Sequence, residues 1–278
     1  NENHRQSSTR SFETGGPSSA TPSRPTKKKD PYFTPELQAS RLIRFHGRKL
    51  AYVCYADVPW LFSHELEVQG TNTFIGLHRK LYPTLIREFY SNFVYKIGQY
   101  ITMVKGKLIV LDEELFLVVG GLSSSGEPLG NYENEQWNDF EALATYRSCL
   151  RDTVTVIPGG LTKVGSLTVE NRLLHYVISY MLVQRNTNHA QPTTNDLKMV
   201  FAIKQWILVN WPAEILKVMS GIATSSSRLL AYGIFISRVI DHMEIDTSDV
   251  EIKLANTHDH QLGEYWIHKM GIYKIIGT

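Results

Sequence analysis

Several stretches of this sequence hold residue types at spacings that could do chemistry. Gly160-Leu161-Thr162-Lys163-Val164-Gly165-Ser166 has the glycine spacing of a phosphate loop. In such a loop a lysine follows the second glycine to reach the phosphates, and the next Ser or Thr holds magnesium. Here those two positions are Ser166 and Leu167, and the lysine sits inside the loop at Lys163, so a plain loop leading into a helix cap is the better reading. His258-Asp259-His260, with Glu264 and His268, is the densest run of metal-ligand types, and residues 264 and 268 would share one helix face. A metal site needs three or four ligands that converge, and the sequence offers only proximity. Asp112, Asp139, Asp152 and Asp241 could be combined into a two-metal carboxylate site for strand transfer. Helix capping and solvated faces explain them more simply.

Nucleophiles fare no better. The Ser-rich run from Gly121 to Gly126 contains no Gly-x-Ser-x-Gly elbow and no local base. Cys149 could be paired on paper with any of the ten histidines, but it falls in a helical pattern and reads as a small core residue. Trp137, Trp206 and Trp211 also sit in helical patterns and read as core in preference to a base-stacking platform. The expectation is therefore no catalytic residue, no cofactor site and no metal site.

The elements that would position these residues are mostly helical. Thr34 and Pro35 read as an N-cap followed by Pro at the first helical position, opening a helix through Leu42 and Ile43 that Gly47 ends. Lys49 to Val68 has no assignable pattern. From Pro83, apolar residues recur in adjacent pairs every four positions (Leu85 and Ile86, Phe89 and Tyr90, Phe93 and Val94), an amphipathic helix of about three turns. Tyr100 to Val104 and Leu108 to Leu111 read as two strands around Lys105-Gly106-Lys107. Asp112 then caps a short helix stopped by Gly120-Gly121.

After a Gly/Ser/Pro loop from Ser123 to Asn131, helices are expected over Glu133–Arg151, after a Ser166 cap through Met181, and over Asp196–Asn210, Pro212–Ile222 and Ser227–Met243. Thr153–Ile157 suits one strand, and Trp266–Ile276 is apolar. The expected fold class is α+β, mainly α: a compact multi-helix domain of seven or eight helices with one short β-hairpin and a disordered N-terminal tail. The domain spans residues 31–278, with a candidate sub-division near 123–132.

The tail, residues 1–30, contains fifteen Ser, Thr, Gly or Pro and one large apolar side chain, Phe12. It cannot bury enough surface to offset its ordering entropy. It carries six of the 29 basic side chains and three of the 27 acidic ones, a net +3, leaving 23 basic and 24 acidic residues in the other 248. A folded part so near neutrality implies no basic groove of the kind nucleic-acid-binding domains display. Any nucleic-acid contact falls instead to the tail, through Arg24, Lys27, Lys28 and Lys29. Two cysteines exclude a disulfide framework and a multi-cysteine zinc site, which points to intracellular residence, nuclear or cytoplasmic. The most apolar run, Leu173–Gln184, is only twelve residues long and includes His175, Ser179 and Tyr180, so it reads as a core helix and not a membrane span. The chain opens at Asn1 with no apolar leader and stops soon after an apolar stretch, as a piece of a longer product would.

Five segments carry a resemblance: Phe33-Thr34-Pro35-Glu36-Leu37; Leu85 to Phe93 with its Arg-Glu-Phe-Tyr-x-Asn core; Val104-Lys105-Gly106-Lys107 leading to Val119-Gly120-Gly121-Leu122; Leu230 to Ile240 with Tyr232-Gly233 and Ser237-Arg238-Val239; and Lys269 to Lys274. In order and character over about residues 31–276, the chain resembles the plant transposon protein domain, a plant family associated with LTR retrotransposons and sometimes labelled envelope-like. The resemblance implies a protein encoded by, or derived from, a mobile element, with no enzymatic site to carry over. The expected function is a non-enzymatic structural or interaction role with a protein partner, self-association included. A gag-like nucleic-acid-binding protein acting through the basic tail is the first alternative, and a metal-dependent transposase or integrase-type enzyme the second.

Overall fold

The structure is a computed structural model and describes residues 30–51, 55–56, 63–78, 80–131, 133–151, 163–185, 189–255 and 261–262. Its helices are α1 (Pro35–Ile43), α2 (Ser63–Val68), α3 (Asn72–Ile75), α4 (Pro83–Asn92), α5 (Glu113–Gly120), α6 (Ala142–Ser148), α7 (Val169–Val177), α8 (Thr194–Lys204), α9 (Trp211–Thr224) and α10 (Gly233–His242). Its strands are β1 (Tyr55–Ala56), β2 (Lys80–Leu81), β3 (Val94–Lys96), β4 (Gln99–Val104), β5 (Lys107–Val110), β6 (Lys253–Leu254) and β7 (Gln261–Leu262). The fold is mainly α with a small antiparallel sheet, as the periodicities predict.

Helix α4 lies at the centre. Its apolar pairs are buried on both sides, with Ile86 and Phe89 fully enclosed, each such burial contributing about 1.5–3 kcal/mol. It packs against α1, α9, α10 and strand β4. Polar groups on this helix are matched at each contact. The Tyr90 hydroxyl donates to the Ala231 carbonyl (3.0 Å) and Thr102 Oγ1 to the Phe89 carbonyl (2.7 Å). Asn92 Nδ2 donates to the Met103 carbonyl (2.9 Å).

The helix ends earlier than the paired pattern suggests. Phe93 is its C-cap, with extended backbone, and Val94 begins β3. Ile97 and Gly98 then adopt positive φ (50° and 78°) and turn the chain into β4, pairing Val94 with Ile101 and Lys96 with Gln99. The expected β4–β5 hairpin is present, with Ile101 opposite Val110 and Val104 opposite Lys107, and β3 widens it to three strands in the order β3-β4-β5. Two further pairings are short: β2 with β6 antiparallel and β1 with β7 parallel. Helix α5 begins and ends as its cap residues foretell. Asp112 accepts the Leu115 N–H (2.9 Å), and Gly121 at φ +66° closes the C-terminus.

In the second half the element boundaries shift. Glu133–Arg151 is not one helix but a 3₁₀ turn (Glu135–Trp137) followed by α6, because Asn134 caps the first and the Glu141 carboxylate accepts Leu143 N–H to open the second. Thr168, not Ser166, caps α7; Ser166 belongs to a 3₁₀ turn, Val164–Ser166. Helix α8 starts in a reciprocal box, with Thr193 Oγ1 accepting Asp196 N–H and Asp196 Oδ2 accepting Thr193 N–H, and stops at Lys204 because Trp206 adopts φ +60°. Ser227–Leu230 is not helical. Tyr232 at φ +55° re-aims the chain and α10 begins at Gly233.

One buried amide ties the α8–α9 connection to the end of α2. Gln69 Nε2 donates to the Ile207 carbonyl (2.8 Å), and its Oε1 accepts from Val209 N–H (3.1 Å) and Trp211 Nε1 (3.3 Å). The expected Thr153–Ile157 strand and the Trp266–Ile276 stretch lie outside the described residues.

Candidate functional site

Those residues picked out by sequence that the structure describes do not come together. Arg24, Lys27, Lys28 and Lys29 lie outside the described residues, as do Gly160, the His258-Asp259-His260 run, Glu264, His268 and Asp152. Asp112 caps α5, Asp139 is exposed, and Asp241 Oδ1 accepts the Tyr82 hydroxyl (2.7 Å). Among the described residues no group of three or more His, Cys, Asp or Glu could hold a metal ion. Cys149 is buried at the C-cap of α6. Trp137 and Trp211 are core, but Trp206, expected there too, is half-exposed, with its ring 5.1 Å from that of His64, because its left-handed backbone ends α8.

The structure assembles a different site around the end of α7. There the helix widens into a π-helical turn, Ile178–Leu182, with the Val183 N–H donating to the Ile178 carbonyl (2.7 Å). Such wide turns are rare, and those that occur are frequently at functional sites. This turn places Ser179 and Tyr180, with Gln184, Arg185 and His189 after it, along one wall of a cleft of about 340 Å³. The opposite wall is Val218 and Ile222 of α9 with Leu229 and Ala231 of the α9–α10 connection, and Arg228 and Ala51 complete the lining. One wall is polar and the other apolar, and among the described residues no Asp or Glu lines the cleft. The volume is within the range of small-molecule sites.

Behind the polar wall, α7 and α8 are joined through a buried charge cluster. Arg185 Nη2 lies 3.0 Å from Asp196 Oδ2 and 3.3 Å from His175 Nε2, and donates to the Gln191 carbonyl (3.0 Å). His175 Nε2 is 3.4 Å from Asp196 Oδ2. Burial would raise the Asp196 carboxyl, but the His175 imidazole, the Thr193 backbone N–H and the Arg185 guanidinium together hold it below its ordinary value. Tyr176, Tyr180 and His189 form a continuous stack, at 4.4 Å and 4.0 Å between successive rings. Burial, then the nearby Arg185 and His175, pushes the His189 imidazole below its ordinary value, which favours its neutral form.

Two lining atoms are left over. Ser179 Oγ and His189 Nδ1 are both buried and form no hydrogen bond with the protein; Ser179 as a residue is 1% exposed. Ser179, His175 and Asp196 are the residue types of an acyl-transfer triad, but His175 turns Nε2 toward Asp196 and Arg185, and Ser179 bonds to no base. The arrangement can offer hydrogen bonds to a bound group.

The rim is held from a distance. Arg48, itself buried, donates to the carbonyls of Ile222 (3.1 Å), Ser225 (2.9 Å) and Arg228 (3.0 Å from Nε). The Tyr232 hydroxyl donates to the Leu182 carbonyl (3.1 Å) and accepts the Gln184 N–H (3.3 Å), fixing the exit of the π turn against the start of α10.

Sequence reading missed this site. It placed Ser179 and Tyr180 on a core helix and gave His189 no role; a serine and a histidine inside an otherwise apolar run were the only available signal. Comparison of the chain with protein-family models, with curated proteins and with solved structures finds no match in any of the three. Among the described residues no helix is long and apolar enough to cross a membrane.

Proposed function

We propose that this chain works by binding and not by turnover, as a structural or interaction component encoded by or derived from a plant retrotransposon, the origin that its sequence resemblance implies. The observation that carries the binding reading is the commitment of the ionisable groups behind the cleft. Asp196, His175 and Arg185 are spent on one another and on helix α8, while the cleft itself keeps an unbonded hydroxyl, an imidazole biased to its neutral form and an apolar wall. Such a surface recognises a partner group without supplying a nucleophile–base pair. Intracellular residence belongs to the same proposal and rests on the presence of only two cysteines.

Two experiments test it. Purified full-length chain incubated with ester and nucleic-acid substrates, with and without magnesium or manganese, should leave them intact. Cleavage that disappears in Ser179→Ala or Asp196→Asn would overturn the reading. The neighbouring reading frames test the origin: adjoining reverse transcriptase and integrase domains support it, and an ordinary host gene neighbourhood with no element remnants counts against it.

A second reading is favoured by the charge asymmetry of the sequence, +3 in residues 1–30 against about −1 in the rest. In it the tail, through Arg24, Lys27, Lys28 and Lys29, binds nucleic acid electrostatically, with affinity that falls steeply with salt.

A further inference from the structure

We infer that the cleft beside the π turn is a receptor for a small organic carboxylate with a flat apolar body. This rests on the binding reading above and names its ligand class. The charge sign comes first. Arg185 and Arg228 both line the cleft and, among the described residues, no carboxylate does. Asp196 offsets Arg185 from behind, which leaves Arg228, exposed at the rim, as a cation with no acidic neighbour among the described lining residues. An anion is attracted there and a cation repelled.

Hydrogen-bonding chemistry narrows the anion. A buried hydroxyl without a partner is unfavourable in the empty site and is relieved by an acceptor, and Ser179 Oγ is such a hydroxyl on the cleft wall. A carboxylate is an acceptor at both oxygens and suits the Ser179 hydroxyl and the Arg228 guanidinium at the rim. The facing wall of Val218, Ile222 and Leu229 has nothing to offer a hydrogen-bonding ligand and suits an apolar surface. The stacked Tyr180–His189 pair gives the polar wall a flat aromatic component as well. The lining does not flex freely, because Arg48 clamps the 222–228 connection and Tyr232 clamps the exit of the π turn. A site fixed before the ligand arrives loses less in ordering it.

The test is a titration of the full chain with benzoate and 2-naphthoate, alongside methyl 2-naphthoate and 2-naphthylmethylamine as neutral and cationic partners of the same shape. Saturable one-to-one binding of at least one carboxylate, tenfold or more tighter than the ester and the amine, is the expected result. Arg228→Gln and Ser179→Ala should each weaken it by about tenfold, the loss of one charge-assisted contact. Ser179→Ala should at the same time raise the melting temperature, since it deletes an unsatisfied buried hydroxyl, and this separates a binding role from a folding role. Equal affinity for all three charge types, no saturable carboxylate binding, or full affinity in both variants would overturn the proposal. The ester arm separates the two readings: hydrolysis of methyl 2-naphthoate would overturn the binding-only function, whereas intact ester with no carboxylate binding would overturn this inference alone.

Discussion

Arg48 holds Arg228 by its backbone: Nε and Nη2 of the Arg48 guanidinium both donate to the Arg228 carbonyl oxygen, across 180 residues of sequence. The same fork reaches the carbonyls of Ile222 and Ser225, so a buried cation sits where the last carbonyls of α9 would otherwise lack partners. The contact leaves the Arg228 side chain outside, at the rim of the cleft. Position of the rim and charge at the rim are therefore assigned to different arginines.

Replacing Arg48 tests that division. Lysine keeps the charge but cannot bridge three carbonyls, so Arg48→Lys should cost about 2 kcal/mol, and Arg48→Ala about 3 kcal/mol by leaving those acceptors buried and unpaired. Arg228→Gln should change stability by less than about 0.5 kcal/mol. Urea unfolding midpoints at constant m-value check all three.

The Asp196 cluster gives a pH dependence with a defined sign. The folded carboxyl lies below its unfolded value, so it binds fewer protons in the folded chain and contributes stability above about pH 4, a contribution lost as pH falls through the lower folded value. Asp196→Asn keeps an oxygen for the Thr193 N–H but leaves Arg185 without its counter-charge. The cost should be about 3 kcal/mol at neutral pH and should shrink toward zero below the carboxyl range. Unfolding free energies measured from pH 7 down to pH 2.5 for both chains would show the two curves converging. Parallel curves would exclude the carboxylate as the source.

Gly121 and Gly106 separate backbone strain from crowding. Both adopt positive φ, +66° and +75°, but a Cβ at Gly121 would stand 2.6 Å from Thr73 Cβ, whereas one at Gly106 meets nothing within 4 Å. Gly106→Ala should cost about 1 kcal/mol, the left-handed penalty alone. Gly121→Ala should cost that plus an overpacking term of about 1–3 kcal/mol, read as a larger drop in melting temperature.

The tail should be removable only to residue 29. Asp30 accepts the Tyr32 N–H and pairs with Lys96 Nζ at 2.6 Å, so it belongs to the folded part. Deleting residues 1–29 should leave the melting temperature unchanged and, if the tail binds nucleic acid, remove that affinity together with its salt dependence. Unchanged DNA and RNA binding in the truncated chain would argue against the tail.

Local chemistry made part of this protein readable in advance. Thr34-Pro35, Asp112, Gly121 and Pro212 act within a few residues of themselves, through caps and fixed φ angles, and the helices and hairpin they delimit appear where expected. Where two local choices were comparable, the tertiary structure chose. Phe93 and Val94 continue an apolar helical pattern, yet pairing with Ile101 draws Val94 into a strand; Trp206 at positive φ follows the end of α8, where the chain turns Ile207 and Val209 to the Gln69 amide, and Tyr232 at positive φ delays the start of α10 to Gly233. The cleft was not legible at all. Ser179, His189 and Arg228 are spread over fifty residues of sequence, and their meeting depends on a π turn, on Arg48 gripping a carbonyl 180 positions away, and on α7 lying against α8. Sequence spacing reports neighbours along a chain, while a binding surface is made by which helices pack together.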